Sequence, residues 1–71
     1  MIKWVVVFDN GKPFEESYTS DEALENGLRE FYEHNKDSDY SYDAKVYNAN
    51  GDDFTETQFI EEMMSEILGD E

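Results

Sequence analysis

Residues 2–18 read Ile2-Lys3-Trp4-Val5-Val6-Val7-Phe8, then Asp9-Asn10-Gly11-Lys12, then Pro13-Phe14-Glu15-Glu16-Ser17-Tyr18. The first block is β-branched and aromatic and does not alternate, the pattern of a central strand covered on both faces. Asn10-Gly11 is the strongest short hairpin signal, because a type I′ turn needs positive φ at two successive residues. The return strand runs Phe14 to Tyr18, and Pro13 at its start marks it as an edge strand.

Outward from this hairpin, Thr19-Ser20-Asp21-Glu22 reads as a capping box, with Thr19 and Glu22 reciprocally satisfying backbone donors. Leu24, Leu28, Phe31 and Tyr32 recur at helical spacing on one face, opposite Glu22, Asn26, Glu30 and Glu33. Glu25 and Arg29 stand in the favoured i, i+4 order. Gly27 borders the apolar stripe at a cost of about 1 kcal/mol against Ala, which points to close approach to the sheet. The helix is expected to end near His34-Asn35. A polar loop, residues 35–41, leads to a third strand from about Tyr42 to Tyr47, and Asn50-Gly51 makes another turn. Thr55-Glu56-Thr57-Gln58 reads as a second capping box, with Phe54 and Phe59 at the spacing of a hydrophobic staple. Phe59, Ile60, Met63, Met64, Ile67 and Leu68 form a wide apolar face opposite Glu61, Glu62, Ser65 and Glu66, and Gly69 suits the C′ position.

A right-handed helical crossover places the second and third strands on either side of the first. The expectation is one α+β domain over residues 1–71, of ββαβα order. Its three-stranded antiparallel sheet has order 2-1-3 and packs against two helices.

The chain carries 19 Asp and Glu against five Lys and Arg, a formal charge of −14 in 71 residues. Duplex DNA carries one negative charge per about 1.7 Å of axis, so this charge matches about 24 Å of duplex. A direct nucleic-acid partner or an anionic membrane would be repelled. Aromatic residues make up 15 % of the chain, more than in a disordered acidic tail. A chain of this length without cysteine has modest stability, and salt should raise it by screening self-repulsion. Halophilic adaptation pairs acid with abundant Ala and scarce Asn and Lys. This chain has three Ala, five Asn and four Lys, against that explanation. The apolar run at 2–8 is too short for a signal-peptide core or a membrane span, and a cytoplasmic protein of a bacterial host cell is expected.

Catalytic signatures are lacking, and no catalytic residue, cofactor or bound metal is expected. The single histidine, His34, falls at a helix end, where a cation suits the helix dipole. No nucleophile elbow, phosphate loop or dinucleotide fingerprint occurs, and zinc is disfavoured without cysteine. Asn48 to Phe54 opens like an EF-hand loop, but Asp53, Thr55 and Phe59 stand where Gly, an apolar residue and a bidentate Glu are required.

Three acidic patches remain. They are Glu22, Glu30 and Glu33 on the first helix, Asp37 and Asp39 in the loop leading to Asp43, and Asp52 and Asp53 with Glu56, continuing to Glu61, Glu62 and Glu66. Tyr40 and Tyr42 lie among them and suit an interface as apolar rings with one polar tip. The bland reading is a set of solvated faces that keep a small protein soluble.

The hairpin, the run Tyr18-Thr19-Ser20-Asp21-Glu22-Ala23-Leu24 opening a helix, and the strand from Tyr42 to Tyr47 resemble small phage-encoded host-takeover proteins. One such protein inhibits bacterial RNA polymerase, and acidic members include anti-restriction and anti-CRISPR DNA mimics. The resemblance covers residues 3–47 and carries no individual functional residue across. It implies a non-enzymatic inhibitor of a basic nucleic-acid-binding protein: a nuclease, CRISPR effector, restriction enzyme or polymerase. Glu22, Glu30, Glu33, Asp37, Asp39, Asp52, Asp53, Glu61, Glu62 and Glu66 are the expected charge contacts, with Tyr40 and Tyr42 as anchors. An immunity protein or antitoxin against a basic nuclease, and an acidic adaptor charged only for solubility, are the alternatives. The chain is expected to be a monomer, or a homodimer paired through an open strand edge.

Overall fold

The computed structural model describes residues 1–39 and 41–69. Val-rich β1 (Trp4–Asp9) pairs antiparallel on one side with β2 (Phe14–Tyr18) and on the other with β3 (Asp43–Asn48). The order is β2-β1-β3, so the α1 connection carries the chain across β1 from one edge of the sheet to the other. Helices α1 (Asp21–Asn35) and α2 (Gln58–Leu68) complete the ββαβα, α+β architecture.

Period-2 alternation along β1 sends Trp4, Val6 and Phe8 into the core and leaves Val5 and Val7 half-buried. The sheet is therefore covered on one face, not two. The uninterrupted apolar run reflects its central position between two strands. Leu24, Leu28 and Phe31 of α1 meet Ile60, Met63 and Ile67 of α2 over Val6, Phe8 and Val46. Fully burying a side chain of this size contributes about 1.5–3 kcal/mol. Phe8 stacks on Phe14 and packs at a tilt on Phe31, with ring centroids 5.2 and 4.5 Å away.

Sequence and structure differ at the element ends. Phe8 pairs with Phe14, so residues 9–13 form the connection, and among them Gly11 alone has positive φ (+103°). The turn is not type I′. The Asp9 carboxylate accepts the Gly11 N–H at 2.9 Å and closes the loop without a left-handed Asn10. The cap of α1 is Ser20, one residue later than expected, with its Oγ accepting the Ala23 N–H at 3.1 Å. Asp21 explains the slip. Its carboxylate accepts the Trp4 indole N–H at 2.8 Å and pairs with the Lys3 ammonium at 3.0 Å, anchoring the first turn to β1. Gly27 does permit close approach, because a Cβ there would overlap the Tyr18 ring and hydroxyl.

The second cap slips by two residues. Thr57 precedes α2 without a side-chain cap, because its hydroxyl donates to the Phe54 carbonyl at 2.7 Å. Thr55 is occupied elsewhere: its Oγ1 accepts the outward N–H of Val46 at 2.9 Å. Phe54 and Phe59 both pack on Trp4, at 5.4 and 5.7 Å, so the indole joins the two rings of the expected staple. Gly69 closes α2 in the right-handed region, donating to the Ser65 carbonyl at 2.7 Å.

The segment after β3 turns back along its outer edge. The Phe54 N–H reaches the Val46 carbonyl (2.8 Å) and the Asn48 N–H reaches the Asp52 carbonyl (3.0 Å). The Ala44 N–H is taken by the Asp43 carboxylate (2.8 Å). This edge is closed. Because Val46 faces outward, Val5 and Val7 bond to β3 and Val6 bonds to Glu16. The alternation leaves the peptide groups of Glu15 and Ser17 pointing away from the sheet, on an edge with no backbone partner among the described residues.

Candidate functional site

The acids of α1 and α2 project from the helix layer because the opposite stripe of each helix is in the core. Glu22, Glu30 and Glu33 are exposed on α1, and Glu61, Glu62 and Glu66 are exposed on α2. The two helices touch and bury their apolar stripes in the same core, so these six lie on the helix layer, with Glu30 at its β2 side. None of the six has an ion-pair partner within 4 Å; Glu62 accepts a hydrogen bond from Gln58 at 2.8 Å. Among the described residues the ion pairs are Lys3–Asp21 and Arg29–Glu25, both at 3.0 Å. Most of the negative charge is thus left uncompensated.

The remaining predicted contacts lie at opposite ends of the sheet. Asp37 and Asp39 are exposed in the connection between α1 and β3, near the end where Asp9 pairs with Asp43. Asp52 lies in the turn after Asn48 at the other end, and Asp53 bridges Tyr47 on the outer edge of β3. Both have structural work there. The Asn48 Oδ1 accepts the N–H groups of Asn50 and Asp52, each at 2.9 Å, and its amide donates to the Asp52 carboxylate at 3.3 Å. The EF-hand-like residues therefore build a turn on Asn48. Hydrogen bonds from the Thr55 side chain and N–H hold the Asp53 carboxyl below its ordinary range. The indole N–H of Trp4, followed by Lys3, does the same for Asp21.

Tyr42 is half-buried and packs edge-on against Tyr32 at 5.3 Å and Phe31 at 6.1 Å, so much of its ring supports the core. Burial raises Tyr32 to about 12, with Asp43 and Tyr42 adding to the shift. Tyr40 lies outside the described residues. No group of three or more metal-ligating side chains occurs among the described residues, and none of their helices is long and apolar enough to cross a membrane.

Sequence reasoning missed Glu16. It shares the core-facing side of edge strand β2 with Phe14 and Tyr18, and with Glu30 it flanks a groove of about 800 Å³ between β2 and α1. Phe8, Phe14, Tyr18 and Phe31 supply its apolar lining, with Asn10, Asn26 and His34 alongside. Burial, followed by the charges of Glu16 and Glu30, raises the Tyr18 hydroxyl above its ordinary value, so both carboxylates converge on that ring. The alternation Phe14, Glu16, Tyr18 is the signal that would have found it, since an acid between two aromatics on one strand face lines whatever those aromatics line. A second hollow, of about 580 Å³, lies on the uncovered sheet face between Val7, Lys45, Tyr42 and Tyr47.

No protein-family model, curated protein or solved structure matches this chain.

Proposed function

We propose that this chain is a non-enzymatic inhibitor, encoded by a phage or mobile element, acting in the cytoplasm of a bacterial host. It occupies the nucleic-acid groove of a basic protein (a nuclease, CRISPR effector, restriction enzyme or polymerase) by presenting carboxylates in place of phosphates. The observation that carries this reading is the uncompensated charge, −14 overall with two ion pairs among the described residues. Six of the carboxylates are exposed together on the helix layer. The body measures 34 × 26 × 19 Å. Fourteen charges equal those of about seven base pairs, somewhat short of one duplex turn of about 34 Å, so the charge and the dimensions of the domain agree. Steering by such a field makes association fast and strongly salt-dependent.

The test is capture of a partner from bacterial lysate by the tagged chain, eluted in steps from about 50 mM to about 1 M salt. The expected result is one nucleic-acid-binding protein, released by salt and displaced by competing DNA or RNA. A partner indifferent to both would refute the reading. Reversal of Glu61, Glu62 and Glu66 together to Lys should abolish capture, while each single reversal should cost little.

Two observations favour the adaptor as a second reading: Phe59 and Leu68 of α2 are 42 % and 54 % exposed. That reading predicts binding that Phe59→Ala and Leu68→Ala weaken and salt leaves unchanged. An immunity protein shares the electrostatics of the inhibitor and is distinguished by a single tight cognate nuclease.

A further inference from the structure

The two edges of the sheet are treated differently. On β3 every outward group described above has a partner, whereas the peptide groups of Glu15 and Ser17 on β2 face solvent. An unpaired edge of this kind is a template for one more strand. Behind it runs the groove between β2 and α1, apolar along Phe14, Tyr18 and Phe31 and flanked by Glu16 and Glu30. Glu15 points to the other face of the same strand. Carboxylates therefore line both sides of the open edge.

We propose that this edge receives an extended basic segment of the partner as a fourth strand. Lys or Arg side chains on its groove side enter between Glu16 and Glu30, their methylene stems lying on Phe14 and Phe31. This rests on the reading of the chain as a binder of a basic protein and specifies one contact. The occupant follows from charge. A second copy pairing through the same edge, centred on Glu16, would set Glu16 directly opposite Glu16 of its mate. Like charges directly opposite destabilise a strand pair. A lysine placed opposite Glu16 on the added strand reverses that sign. Long cationic side chains also suit a cleft that is apolar at its base and anionic at its rims.

The experiment follows the isotopically labelled full chain by NMR while a ten-residue peptide alternating Lys and Thr is added at low salt. A control peptide has alternate Thr replaced by Pro, keeping the charge but losing strand hydrogen bonds. The expected result is amide exchange at Glu15 and Ser17 slowed at least about tenfold by the first peptide and unchanged by the control. The double variant Glu16→Gln, Glu30→Gln, which removes two like charges and leaves the backbone untouched, should weaken peptide binding about tenfold, as two exposed charge contacts near the upper end of their range would. Ser17→Pro, at a position whose N–H faces outward, should remove the protection at Glu15.

Three outcomes of the peptide titration would overturn the proposal. They are peptide-induced changes confined to the outer faces of α1 and α2, equal binding of the proline control, or unchanged binding by the glutamine variant. Protection of Glu15 and Ser17 that grows with protein concentration in the absence of peptide would also overturn it, in favour of a second copy. Salt-released capture of a partner by the Ser17→Pro chain would retain mimicry while rejecting the strand contact. Loss of salt dependence in the unmodified chain would reject mimicry itself.

Discussion

Replacing Gly27 by Ala puts two effects of opposite sign in competition. In an isolated helix the change is favourable by about 1 kcal/mol. Here the added Cβ would overlap the Tyr18 ring, which lies against the helix at that point. Tyr18 is on an edge strand, so its ring can swing into solvent, and the penalty is then the loss of its burial. A tyrosine buries about 150–250 Å² in a core, and Tyr18 is half-buried, so about 100 Å² is at stake. At about 25 cal/mol per Å² this comes to about 2.5 kcal/mol. The net expectation for Gly27→Ala is destabilisation by about 1.5 kcal/mol, a fall in Tm of about 6–12 °C for a domain of this size. In a chain already carrying Tyr18→Ala the obstruction is gone, and the same substitution should stabilise by about 1 kcal/mol. Urea unfolding of the four chains of this cycle, followed by the fluorescence of the single Trp4, measures the coupling directly. Stabilisation by Gly27→Ala in the unmodified chain, or additivity within about 0.5 kcal/mol, would refute the argument.

Three further expectations concern the scaffold. The phenol of Tyr32, raised to about 12 by burial and then by Asp43 and Tyr42, favours the folded state fully below the ordinary tyrosine value of 10.0 and loses that contribution as pH rises from there towards 12. Ultraviolet titration should show a late phenolate that Tyr32→Phe removes, together with flatter stability across that alkaline window. Thr55→Val keeps the shape of the side chain but leaves the Val46 N–H without its acceptor, and should cost about 1–3 kcal/mol in denaturant titration. Raising salt from about 0.01 to about 1 M shortens the screening length from about 30 to about 3 Å. At a charge of −14 this should raise Tm, equally with sodium and potassium chloride, and a fall in Tm would contradict self-repulsion as the main electrostatic term.

The hairpin, both helices and the strand order were legible because local signals agreed there: Pro13 before an edge strand, period-3.6 apolar faces, and a helical connection long enough to cross the first strand. The element ends were not legible. Thr19 and Ser20 are equally able caps, and the choice between them follows the contact of Asp21 with Trp4, 17 residues away in sequence. Thr55 was read as a cap because the motif is local, yet its hydroxyl serves the edge of β3. Val5 and Val7 look as buried as Val6 in sequence, and only the placement of both helices on one face separates them. For the candidate site, exposure of the helical glutamates followed from periodicity. The groove beside Glu16 did not, since it exists only once β2 and α1 are set side by side.

The unequal edges of the sheet also bear on stoichiometry. Growth of a fibril needs two free edges on each unit, so that every addition exposes a new site. With β3 closed by residues 52–55 and β2 the open edge among the described residues, each molecule has one edge for strand addition and no second edge at which a stack could extend. Strand addition at this sheet would therefore stop after one added strand, which blocks open-ended polymerisation of the domain.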